Sequence, residues 1–210
     1  HKIGAAQLLF STHPMSDERY KTSVKTARKK YKKAKENPLF RERYMDNIAG
    51  LRKIEKGIVK MQQGDGLMGK EKYPEAESQY AQALTIAKND YAGLLKIAQS
   101  QLVQKKYQDA DRNIQLAQKA YPQEAQADYL SGFVKLNRKQ YAPAYNAFNA
   151  YDKKLPGNPN VAFYKGLSLE GQERIDPAAR NYKKFLQYVQ EGKQAQYAYQ
   201  RLVEWGYIKK

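Results

Sequence analysis

Four alanines, Ala76, Ala110, Ala144 and Ala178, stand 34 residues apart, and that spacing constrains the fold more than any other feature of the chain. Three places before each lies a large apolar residue: Tyr73, Tyr107, Tyr141 or Ile175. Four places after each lies another: Tyr80, Ile114, Phe148 or Tyr182. Twelve places before each is a small residue, Gly64, Ala98, Gly132 or Gly166, and Pro122 and Pro156 close two units at one phase. Two helices per unit account for these residue types. The small residue at position eight and the alanine at position twenty let two backbones approach, while bulky residues fill the groove beside them. A unit of this kind cannot bury its own apolar face, so stability has to come from stacking.

The pattern resembles the tetratricopeptide repeat, a helix-turn-helix unit of the same length. The resemblance implies an all-α right-handed superhelix with four repeats at 57–90, 91–124, 125–158 and 159–192. Turn chemistry agrees with it. Asp176-Pro177 reads as N-cap and first helical position, and Tyr73-Pro74-Glu75 opens a second helix where proline's missing N–H is harmless. Tyr151 and Phe185 depart from the pattern, replacing the Ala83 and Ala117 of earlier units, and Lys88 and Gln190 replace a closing proline; these departures are expected to weaken single units. Residues 193–210 read as a capping helix over Gln196 to Trp205, ended by Gly206, with Tyr207-Ile208 folding back.

Residues 16–56 read as a basic helical linker. Tyr20, Val24, Ala27, Tyr31 and Ala34 have helical spacing over 17–36, with Ser16 as cap. Asn37-Pro38 starts a second helix with Phe40, Tyr44, Ile48 and Leu51 along one side. Ahead of the linker, Leu8-Leu9-Phe10-Ser11-Thr12-His13-Pro14 with Asp17-Glu18-Arg19 resembles the end of the catalytic domain in a zinc metallopeptidase family. That family includes the CAAX prenyl protease and the periplasmic beta-barrel assembly-enhancing protease; the latter type places tetratricopeptide repeats after its peptidase domain. The resemblance makes 1–15 the tail of a peptidase domain preceding residue 1, and implies a periplasmic envelope protein with zinc in the parent molecule. By it only His13 carries over, as an auxiliary or gating zinc ligand; the plain alternative is a loop histidine before a proline. The HExxH helix and downstream glutamate ligand do not occur in this chain, so it is expected to be inactive alone.

Composition narrows the chemistry further. The 210 residues contain no Cys and only His1 and His13, which removes disulfides, thiolate zinc sites and a histidine zinc site within the chain. No apolar run approaches the roughly 20 residues of a membrane span, and no signal-peptide pattern opens the sequence. Gly69-Lys70 lacks the glycine spacing and following Ser or Thr of a phosphate loop, and Glu75 and Glu77 show no cleft signature. No catalytic residue is assigned.

First helices line the concave face of tetratricopeptide stacks, which makes Met61, Asp65, Leu95, Gln99, Tyr129, Phe133, Phe163 and Leu167 the candidate peptide-binding residues. The alternative is that some pack inward between repeats. Met61 and Asp65 do not match the Lys and Asn of a carboxylate clamp. Expected partners are polypeptide segments and the upstream peptidase domain, with a free-standing peptide scaffold as the rival. A third reading starts from charge: 38 Lys and Arg against 21 Asp and Glu give +17, and residues 17–60 hold +9 of it. That surplus suits nucleic acid or anionic lipid. Because Tyr31 and Ala34 interrupt the basic run at core spacing, the solvated face of a packed helix is the preferred account.

Overall fold

The computed structural model describes residues 16–33, 38 and 40–209. Among them are eleven α-helices and no strand. The chain divides into two compact units, 1–49 and 50–210.

The first unit holds α1 (Ser16–Lys30) and α2 (Arg41–Asn47). The helix expected over 17–36 ends at Lys30, and Ala34 and Asn37 lie outside the described residues. The second expected helix is broken. Phe40 is left-handed at φ 42°, α2 ends at Asn47, and Ile48 leaves helical geometry at ψ 3° before α3 begins. Tyr20, Tyr31, Phe40 and Tyr44 are all more than 60% exposed, so their spacing marks no buried face.

The second unit is built from α3 (Ala49–Met68), α4 (Tyr73–Ile86), α5 (Tyr91–Val103), α6 (Tyr107–Ala120), α7 (Gln126–Asn137), α8 (Tyr141–Lys154), α9 (Pro159–Glu170), α10 (Ile175–Leu186) and α11 (Lys193–Glu204). Helix α3 runs without interruption through residue 57, where the first repeat was expected to begin. Its C-terminal part meets α4 through Gly64 and Tyr80, and from α4 onward each helix packs on the next, in the stack of a tetratricopeptide superhelix.

Position twenty is the centre of each pair: Ala76, Ala110, Ala144 and Ala178 are fully buried. The small residue at position eight does something other than bring backbones together. A Cβ built on Gly132 falls 2.5 Å from the Phe148 ring, and one on Gly166 falls 2.5 Å from Tyr182; Gly64 faces Tyr80 in the same way. The unit with alanine there, Ala98, carries the slimmer Ile114 opposite. Glycine makes room for a ring.

The turns inside the units also repeat. Glu71, Lys105, Lys139 and Glu173 each adopt φ between 57° and 61°. Their N–H groups and those of the next residues return to the preceding helix: Lys105 N to Leu102 O at 3.0 Å, Lys106 N to Gln101 O at 2.8 Å, with equivalents in the other three units. This is a Schellman ending without its customary glycine.

The N-cap expected of Asp176 is not formed. Arg174 occupies that place, and Asp176 lies inside the first turn of α10, accepting a hydrogen bond from the Tyr207 hydroxyl. Pro74 does sit in the first turn of α4. Gly206 at φ 75° ends α11, and Tyr207 returns its N–H to Leu202 O at 2.8 Å, with Tyr207 and Ile208 covering the last core cluster.

Candidate polypeptide-binding face

The first helices of the four pairs are the C-terminal part of α3, then α5, α7 and α9, and their fifth and ninth repeat positions hold the eight residues singled out from sequence. The structure does not expose them equally. Phe163 is 5% exposed, with its ring 5.2 Å from Phe185, 5.8 Å from Tyr182 and 6.0 Å from Tyr197. It is core, because α11 covers it. Tyr129 and Phe133 are half-buried in one aromatic cluster with Phe148, Tyr151 and Tyr164; Phe133 lies 4.6 Å from Tyr164, and Tyr129 4.7 Å from Tyr151. Burial, then the neighbouring Tyr164 and Tyr151, push the Tyr129 hydroxyl up to about 12.

Tyr151 and Phe185, read from sequence as weakening departures, are 4% and 0% exposed and pack on the rings of Tyr129 and Phe163. Units three and four therefore enlarge both sides of one contact. The large groove residues and the missing alanines are a single feature.

Met61 and Leu95 are half-buried against the first two core clusters. Asp65 is engaged rather than open: it accepts from the Tyr80 hydroxyl at 2.8 Å and pairs with Lys96 at 2.7 Å, tying α3 to α5. Gln99 is exposed and Leu167 half-buried. His13 lies outside the described residues.

Leu167 contributes to a surface cavity of about 340 Å³, lined also by Leu136, Asn137, Tyr141, Glu170, Gly171 and Tyr197. It lies where α7, α9 and α11 meet, so three successive helical layers shape it. Glu170 sits at its wall, accepting from Tyr182 at 2.5 Å and Tyr197 at 3.0 Å and pairing with Arg201 at 2.6 Å. Burial and the Glu170 carboxylate push the Tyr197 hydroxyl up to about 12 and raise that of Tyr182 further. The wall is thus a fixed, charge-compensated network, and the opening is apolar at Leu136, Leu167 and Tyr197. Sequence reasoning missed Leu136 and Glu170. They occupy the twelfth repeat position, one turn beyond the ninth on the same helical face, and could have been found by extending the count.

Glu77, which shows no cleft signature in the sequence, is a link between units. It accepts from Gln101 and Gln104 at 2.9 Å and from Lys106 at 2.7 Å, bolting α4 to the next unit. Burial alone would raise its pKa, but those hydrogen bonds prevail and hold it below the ordinary carboxylate range. Among the described residues no group of three or more His, Cys, Asp or Glu could hold a metal ion, and no helix is long and apolar enough to cross a membrane.

No family model matches the chain, and no curated protein matches it. Solved structures do. MamA 41-end from Desulfovibrio magneticus RS-1 is 21% identical, with a TM-score of 0.66 over 72% of this chain and 86% of that one. Pseudomonas aeruginosa PilF gives 19% identity and a TM-score of 0.65, over 72% and 69% of the two chains. TTC0263, a thermophilic tetratricopeptide protein of Thermus thermophilus, gives 14% and 0.61, over 71% and 83%. At these identities the likeness is one of fold: a tetratricopeptide-type helical stack.

Proposed function

We propose that this stack holds an extended polypeptide on its first-helix face, as the noncatalytic region of a zinc metalloendopeptidase of the bacterial envelope. The cavity at the α7, α9 and α11 junction carries the binding half of the reading: apolar Leu136, Leu167 and Tyr197 open to solvent beside polar Asn137. That combination suits one apolar side chain of an extended segment, with an amide near enough to meet its backbone. The peptidase half is supported by the Ser11-Thr12-His13-Pro14 resemblance and by the order of linker and repeats behind it.

Labelled peptides of about a dozen residues, with and without one Leu or Phe, test the first half by fluorescence anisotropy, at roughly micromolar affinity for a pocket of this size. Leu167→Gln should weaken the anchored peptide about tenfold while the circular-dichroism melt keeps its shape. A photocrosslinker at the exposed Asn137 should label the same peptide. Equal binding of anchored and anchorless peptides refutes the cavity. The peptidase half stands or falls on the reading frame upstream of His1: an HExxH motif there supports it, and its absence leaves a free-standing peptide scaffold.

A further inference from the structure

Helix α1 carries an apolar stripe that stays unburied among the described residues. Tyr20, Val24 and Ala27 fall within one narrow sector at 100° per residue, and Tyr31 continues it one turn on, its N–H bonded to Ala27 O at 3.1 Å. Tyr20 is 72% exposed and Tyr31 62%. None of residues 19–33 is buried. Basic residues flank the stripe on both sides. Lys21 and Arg28 lie along one edge, with Lys25 and Lys29 further round the same side; with Tyr20 and Val24 the four form a shallow groove of about 560 Å³. Arg19 and Lys30 lie along the other. Residues 16–33 hold eight Lys and Arg against Asp17 and Glu18, and none of residues 19–33 forms an ion pair among the described residues. The repeats differ: there Lys96, Lys106, Lys154, Lys165 and Arg201 are each held by a carboxylate. The packed, solvated helix expected from sequence would have buried Tyr31, and it does not.

We infer that α1 is a docking helix for an anionic lipid surface. A duplex would use the cations and leave the stripe idle, and a single strand would stack bases on Tyr20 and Tyr31 but leave Val24 and Ala27 between them idle. A bilayer interface uses both, since the stripe enters the headgroup boundary while the flanking Lys and Arg stems bury their methylenes and keep their charges among lipid phosphates. The stripe is small, so charge supplies most of the attraction and the association is salt-reversible. The inference is independent of the peptide cavity.

Vesicle co-sedimentation of the whole 210-residue chain tests it, using phosphatidylcholine with about 30% phosphatidylglycerol against phosphatidylcholine alone. Binding is expected only to the anionic vesicles at about 50 mM salt, with release at about 500 mM. Lys21→Glu with Arg28→Glu should lower the affinity at least tenfold. Tyr20→Ser with Val24→Ser, which leaves the charge unchanged, should lower it about threefold or more, and Val24→Trp should show a blue-shifted emission on binding. Neither pair touches a buried residue, so the melt of the repeats serves as the folding control. Sedimentation with neutral vesicles alone, indifference to the Ser pair, or tighter binding to a duplex DNA of equal phosphate content each overturns the inference.

Discussion

A single methyl group separates the second repeat from its neighbours. Where position eight is glycine the facing residue is a ring, and where it is Ala98 the facing residue is Ile114. Gly132→Ala should therefore cost about 1–2 kcal/mol, the overpacking penalty less the gain in helix propensity. Adding Phe148→Ile, which copies the second unit, should recover part of that in urea melts. Gly66→Ala, with no atom within 4 Å of the new Cβ, should instead gain about 0.5–1 kcal/mol. If Gly132→Ala proves neutral, the ring does not need the glycine. The left-handed turn residues call for the opposite substitution. Lys139 holds φ 57° with a side chain, so Lys139→Gly should raise stability by about 0.5–1 kcal/mol, read as a higher denaturation midpoint at unchanged slope. Sequence showed the glycines as small but not what they made room for, because the partner ring lies sixteen residues away across a turn.

Between elements, polar bolts add to the apolar stacking, and the bolt at Glu77 should be visible to pH. Its folded pKa lies below the unfolded one, so the stabilisation is fully present above the unfolded carboxylate value of about 4.3 and is lost as pH falls through the folded value. Glu77→Gln should then melt below the parent from neutral pH to about pH 5, by roughly 1 kcal/mol, and the two should converge near pH 3. A gap that persists at pH 3 would assign the loss to packing instead. The same scale explains what the sequence could and could not tell of the candidate face. Helix starts were legible to within a few residues from Pro74, Ala76 and their repeats. Which first-helix residues stay open was not, because Phe163 is closed by α11, a helix thirty residues further along. Asp65 was legible as polar, but its capture by Lys96 and Tyr80 depends on the stacking of two units. Phe133→Asp, which would abolish peptide capture if Phe133 lay free in the groove, should instead unpick the Phe148–Tyr164 cluster and show as lost helicity.

For the molecule as a whole, a stack whose layers touch only their neighbours has a stability that varies along its length. Its two ends are unlike. The first core cluster of the stack, around Ala76, Tyr80 and Ile97, is small, whereas the last gathers Phe163, Tyr182, Phe185 and Leu202 beneath α11. Helix α11 does two things there: it covers those rings, and through Arg201 it neutralises Glu170 beside the cavity. Ending the chain at residue 192 would uncover the rings and leave Glu170 facing Tyr182 without its cation. Unfolding of the fourth pair should then precede that of the rest, lowering the first thermal transition by several degrees, at about 2–4 °C per kcal/mol for a chain of this size. Hydrogen exchange decides whether the layers are separable: amides of α9 and α10 should lose protection while those of α4 and α5 keep it. Equal loss in all four helices would mean that the stack melts as one block, and that the cavity at α7, α9 and α11 is held by every layer rather than by its own three.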